Sequence, residues 1–302
     1  MFTQLLVPLD QSALAEAAIA RAVALVHATG ARLDLLLVHE PFTIGGRDDA
    51  PVNSRQCASE EAYLDRMARE VISGATIKPT WALLNGRPVE MICRRAADVG
   101  ADLIVMTSHG RTGFNRAWLG SVADGVIRRS HIPVLLLRST DAQRADRSER
   151  LFSHALVLID ASAESERIID DALAVARAGK GHITLLHIVQ PVPLVIPEYG
   201  VPVAGAPRVV DIELTERVAA EARDRLGALA VRASAATDVK TAVVINGHVA
   251  QAILDFAAKT KADLIALTTH GRGASRLLVG SIADKILRGG NLPVLIKRPR
   301  EG

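Results

Sequence analysis

Short unbroken apolar runs alternate along this chain with longer stretches whose apolar residues fall three and four positions apart. The first run, Leu5-Leu6-Val7, ends at Pro8-Leu9-Asp10, and Ser12 stands where it can cap a helix. Leu14, Ala18, Ile19, Ala22, Val23 and Val26 then keep helical spacing up to Gly30, a helix stop. A second strand follows at 33–38, a helix near 59–73, a third strand around Thr80–Leu84, the turn 85–88 and a helix over 89–99. A fourth strand at 102–106 runs into a glycine loop, a helix from 122 to about 129 and a last strand at 133–137. Strands that are apolar on both faces, with helices between them, predict a buried parallel sheet. The connections 41–58 and 191–210 exceed ordinary loop lengths and read either as lids or as mobile segments.

The same pattern is written twice. "LLVPLDQS" (5–12) returns as "ALVLIDAS" (155–162), and "LLLVHEP" (35–41) as "LLHIVQP" (185–191). "ADLIVMTSHGR" (101–111) returns as "ADLIALTTHGR" (262–272), and "GSVADGVIRRSHIPVLLLR" (120–138) as "GSIADKILRGGNLPVLIKR" (280–298). Four blocks in one order mark a duplicated domain. The expectation is a first domain over 1–140, a polar linker over 141–150 and a second domain over 151–302. The fold class is α/β: two tandem doubly wound domains, each a five-stranded parallel sheet with helices on both faces.

In such sheets ligands bind beyond the carboxyl ends of the strands, where the winding direction reverses. Both glycine loops leave the carboxyl end of a strand and enter a helix. The first has nine residues between Gly110 and Gly120, followed by Ser121; the second has eight between Gly271 and Gly280, followed by Ser281. A glycine there lets backbone N–H groups approach phosphate oxygens, and a helix start supplies unpaired N–H groups and a favourable dipole. Arg111 and Arg272 can add charge-assisted contacts. A purely structural reading stays open: Ser121 with Asp124, and Ser281 with Asp284, resemble helix caps, as do Asp10 with Ser12 and Asp160 with Ser162. His109 and His270 have no Cys or second His at metal-ligand spacing, so they suit loop geometry or a phosphate contact, and no metal site is expected.

Composition narrows the function. With 36 basic against 33 acidic residues, and aromatics at 3 %, there is no basic, aromatic footprint for nucleic acid. Cys57 and Cys93 stand far apart and suit a reducing compartment. The start lacks a basic leader, and no apolar stretch is long enough to span a membrane, so a cytoplasmic protein without membrane contact is expected. GxxxxGK[ST], GxSxG and the kinase signatures are missing, which argues against a P-loop NTPase, a serine hydrolase or a kinase.

Each half resembles a universal stress protein domain, and the whole resembles a tandem universal stress protein, of the Rossmann-like class related to the adenine nucleotide alpha-hydrolases. The family's nucleotide-binding members carry G-x2-G-x9-G-[ST] after the fourth strand and an aspartate closing the first. Here Thr107 and Thr268 replace the first glycine, and the second loop is one residue short. The resemblance implies nucleoside contacts at Asp10 with Pro8 and Leu9, and at Asp160 with Ile159, and adenine against the backbone at Val38 and Ile188. It implies phosphate contacts among Met106, Thr107, His109, Gly110, Arg111, Gly120, Ser121, Val122 and Ala123. In the second copy these become Leu267, Thr268, His270, Gly271, Arg272, Gly280, Ser281, Ile282 and Ala283. The implied ligand is ATP, with Mg as a companion and ADP or AMP as alternatives, and the longer loop makes the first copy the stronger candidate. The implied role is an ATP-binding switch or sensor in the stress response, without fast turnover, acting on an unknown protein partner. A nucleotide-free scaffold and a slow ATPase are the alternatives. Family members dimerise through the last strand, so 133–138 and 293–298 are expected to pair within one chain as a pseudo-dimer, with a homodimer of tandem chains also open.

Overall fold

The computed structural model describes residues 1–44, 47–48, 50–75, 77–108, 119–138, 151–194, 209–234, 237–269 and 280–299. The expected linker 141–150 lies outside the described residues.

The first copy runs β1 (Gln4–Leu9), helix Ala13–Thr29, β2 (Arg32–His39), a hairpin of β3 (Thr43–Ile44) and β4 (Arg47–Asp48), helix Ala50–Ala75, β5 (Thr80–Asn85), helix Pro88–Asp98, β6 (Leu103–Thr107), helix Ser121–Arg129 and β7 (Val134–Leu137). The second runs β8 (His154–Leu158), helices Ala163–Glu166 and Ile169–Ala178, β9 (His182–Val189), helix Ile212–Ala233, β10 (Val239–Ile245), helix Val249–Thr260, β11 (Leu264–Thr268), helix Ser281–Gly289 and β12 (Val294–Lys297). Gly30 stops the first helix as expected, at φ 73° with its N–H on the carbonyl of Val26.

The two copies form one ten-stranded sheet, β10-β9-β8-β11-β12-β7-β6-β1-β2-β5. Within each copy the pairs are parallel. At the centre β7 and β12 pair antiparallel, with Leu135 opposite Leu295. The apolar last strands thus cover each other, which removes two exposed edges. The inner strands bury both faces, whereas the edge strands β5 and β10 stay partly exposed. Leu5, Val7 and Leu9 belong to a core under helices Ala13–Thr29, Ala50–Ala75, Ile169–Ala178 and Ile212–Ala233. Leu6, Leu36 and Ile104 belong to the core on the other face.

The expected loop 41–58 requires correction. Helix Ala50–Ala75 begins well before residue 59, with Pro51 in its first turn, where a missing N–H costs nothing. Its opening turns bury polar Asn53 and Glu60 rather than an apolar stripe. Asn53 Oδ1 accepts from the backbone N–H of Phe42 at 2.8 Å. Of 191–210, residues 195–208 lie outside the described residues, and Pro193 bridges Val210.

Candidate functional site

The sheet opens at the expected switch point in both copies. β1 pairs with β2 as far as Leu9–Leu37, yet its pairing with β6 ends at Leu6–Ile104. β6 stays with β7 to Thr107–Leu137. The carboxyl ends of β1 and β6 therefore part, leaving a crevice between them. In the second copy β8 pairs with β9 to Leu158–Leu186, while its pairing with β11 ends at Val157–Ala266.

Asp10 and Asp160 stand at the lips of these crevices, both partly buried. Asp10 Oδ1 accepts from the N–H of Ser12 at 3.0 Å, and Asp160 Oδ1 from that of Ser162 at 3.0 Å. The intervening Gln11 and Ala161 sit at φ 64° and 67°, a left-handed conformation uncommon for residues other than glycine. Ser12 and Ser162 do cap the following helices, accepting from Ala15 and Ser165 at 3.1 Å. The capping reading thus holds for these serines, and the aspartates orient them.

The loop bases are closed alike. The N–H of Gly120 donates to the carbonyl of Ser108 at 2.8 Å, and that of Gly280 to Thr269 at 2.7 Å. A Cβ on Gly280 would lie 3.0 Å from that carbonyl, so the close approach favours glycine. The one-residue difference falls between these matching clamps, over residues 109–119 in the first copy and 270–279 in the second. His109, Gly110, Arg111, His270, Gly271 and Arg272 belong to those segments and lie outside the described residues.

The capping reading of the two Gly-Ser steps is overturned. Gly120 and Gly280 occupy the cap positions, and among the described residues no side chain caps either helix start. Ser121 and Ser281 are already helical. Asp124 turns away to Arg128 at 2.7 Å, and Asp284 to Arg288 at 2.8 Å. Hydrogen bonding to Asp124 raises the pKa of Arg128 against the lowering effect of burial, and Asp284 of the other copy adds to the rise. Each aspartate's charge is thereby offset by an arginine one turn on. Above the second clamp the buried hydroxyl of Thr269 has no hydrogen-bond partner.

The remaining expected residues divide by burial. Leu9, Met106, Ala123, Leu267 and Ala283 point into the cores, so only their backbones can meet a ligand. Thr107 and Thr268 are buried at the ends of β6 and β11, and Ile159 is buried after β8. Pro8, Val38, Val122 and Ile188 are partly buried near the crevices, while Ser121, Ser281 and Ile282 are exposed at the helix starts.

Two features escaped the sequence reading. Arg138 and Arg298, ending β7 and the β12 segment, each reach a helix end in the opposite copy. His39, Cys57 and Glu60 meet beneath helix Ala50–Ala75. Neither follows from residue spacing, since both depend on tertiary contacts.

A duplicated Rossmann-like α/β fold, with a glycine-clamped helix start at each switch point, defines the class of this protein. The chain belongs to the universal stress protein family, whose model matches residues 1–138 and again 152–298. It is 28 % identical over 202 residues to universal stress protein Rv2005c of Mycobacterium tuberculosis, a match covering 66 % of this chain and 62 % of that protein. Half of the chain matches all of a Thermus aquaticus universal stress protein at 34 % identity over 145 residues, 46 % of this chain and 100 % of the relative. The fold matches a universal stress protein of Archaeoglobus fulgidus at a TM-score of 0.68 and 21 % identity, over 98 % of both chains. A protein of Pseudomonas aeruginosa UCBPP-PA14 matches at 0.65 and 18 %, over 99 % of this chain and 94 % of that one.

Proposed function

We propose that this universal stress protein binds an adenine nucleotide in each copy and uses occupancy as a switch, without rapid turnover. The observation that carries the reading occurs in both copies: a helix start whose cap residue is a glycine, anchored by that glycine's N–H, beside the parted ends of two strands. Free N–H groups and the positive end of the helix dipole suit a phosphate. Asp10 and Asp160 suit ribose hydroxyls, and the backbones at Val38 and Ile188 suit adenine. ATP with Mg is the favoured ligand, with ADP and AMP as the competitors. A bound magnesium would neutralise phosphate charge, while the chain supplies the N–H cradle. A cytoplasmic setting and a protein partner complete the reading.

The helices that start at these sites also suggest how occupancy is transmitted. Helix Ser121–Arg129 ends with the carbonyl of Arg128 held by Arg298, and helix Ser281–Gly289 has the carbonyl of Ile286 held by Arg138. A nucleotide at one end of such a helix acts on an element whose other end is bonded to the opposite copy.

Nucleotide extracted from purified protein, followed by ATP titration calorimetry, tests the reading. Two equivalents per chain are expected, with Gly120→Val lowering first-copy affinity at least tenfold, about 1.4 kcal/mol. Absence of binding at millimolar ATP overturns the proposal in favour of a scaffold. Turnover above about 1 s⁻¹ would make the protein an enzyme instead.

A further inference from the structure

His39 closes β2 on the face covered by helix Ala50–Ala75. Its Nδ1 lies 2.8 Å from Glu60 Oε2, and both side chains are almost wholly buried. Its other ring nitrogen, Nε2, is buried with no hydrogen-bond partner. Cys57 stands one turn before Glu60 on the same helix and is partly open to solvent. One donor atom from each of His39, Cys57 and Glu60 lies within 4.8 Å of the others. Glu60 and Glu61 add negative charge beside the thiol.

The second copy provides an internal comparison. Phe42 N–H bonds Asn53 in the first copy, as Val192 N–H bonds Thr215 in the second, which fixes the register between the two helices. In that register His39, Cys57 and Glu60 correspond to Val189, Ala219 and Ala222. Those three form an apolar cluster of their own. The fold therefore packs this corner without polar groups. An imidazole left with a buried, unpartnered nitrogen is costly unless it meets a ligand.

We propose that His39, Cys57 and Glu60 form a site for one borderline-soft divalent cation of the zinc class, present in the first copy only. Nitrogen, sulfur and carboxylate donors together match zinc or cobalt better than magnesium or calcium, which prefer all-oxygen sites. The partly open Cys57 provides the entry path, and a solvent molecule can complete the coordination. The site is independent of nucleotide.

The test titrates Co²⁺, then Zn²⁺, into the tag-free full chain without nucleotide. One equivalent of Co²⁺ is expected to give sulfur-to-cobalt charge-transfer absorption that Zn²⁺ abolishes, and Zn²⁺ is expected to raise the unfolding midpoint. Cys57→Ser should remove the absorption and weaken binding at least tenfold, whereas Cys93→Ser should leave both unchanged. The triple variant His39→Val, Cys57→Ala, Glu60→Ala installs the second copy's own residues, so it should fold and lose the site. Absence of a thiolate band in the native protein, or its survival in the triple variant, overturns the proposal.

Discussion

Arg138, the residue after β7, is buried and donates from Nη2 to the carbonyl of Ile286 in the opposite copy at 3.4 Å. Its Nε donates to the carbonyl of Leu292 at 3.2 Å. Arg298 mirrors it on the carbonyl of Arg128. Two guanidinium groups, one buried and one partly buried, thus fasten the join that β7 and β12 begin. Hydrogen bonds from charged donors contribute about 1.5–3 kcal/mol each. Arg138→Ala removes two such bonds and is expected to lower stability by at least about 1.5–3 kcal/mol, and the double variant with Arg298→Ala to split urea unfolding into two transitions. An unchanged midpoint would show that strand pairing alone holds the copies together.

Gln11 and Ala161 occupy the same left-handed position in the two copies, between an aspartate and the serine it orients. A side chain there costs about 1–2 kcal/mol, while glycine costs about 0.4–1 kcal/mol more entropy on folding. Gln11→Gly and Ala161→Gly are therefore each expected to stabilise the protein by about 0.5–1 kcal/mol, read as a higher urea midpoint. Destabilisation by either variant would show that the turn is not strained.

Much of this architecture is legible in the chain because apolar runs mark strands buried on both faces and Gly30 marks a helix end. The duplication adds the domain plan, and glycine followed by serine marks each helix start. What failed to show has physical causes. The first turns of helix Ala50–Ala75 bury Asn53 and Glu60 through particular polar contacts, so no apolar period announces them. Asp124 looked like a capping partner because spacing alone cannot distinguish the helix start from Arg128 one turn ahead. The grip of Arg138 and the meeting of His39 with Cys57 exist only once distant segments are packed.

His154 is the buried member of a stacked pair with His182, their ring centroids 4.2 Å apart. Its Nε2 lies 2.8 Å from the Thr184 hydroxyl. Burial first, and then the charge of His182, lowers its pKa below the ordinary value; Lys240 adds to this, while the Thr260 carbonyl and Asp263 oppose it. The unfolded chain therefore takes up this proton before the folded one does. Stability is retained above about pH 6.5, the ordinary histidine value, and lost as pH falls from there towards the folded pKa. His154→Gln, which installs the residue of the corresponding position Gln4, is expected to flatten the profile between about pH 7 and 5. Parallel profiles of variant and native protein in urea unfolding would refute this.

Asp34 is fully buried in β2, and its two carboxylate oxygens accept from Arg95 Nε and Nη2 at 2.8 Å each. Thr80 donates to the same carboxylate. The corresponding positions in the second copy are Thr184 and Phe256, so the ion pair is one of two solutions this fold accepts. Removing one partner strands a buried charge, and Arg95→Ala is expected to cost about 3–5 kcal/mol. Replacing both, as Asp34→Thr with Arg95→Phe, removes the charge and fills the space, so most of that loss should be recovered. Denaturant unfolding of the single and double variants decides it. A double variant as unstable as Arg95→Ala would mean that the first copy's packing depends on the ion pair itself.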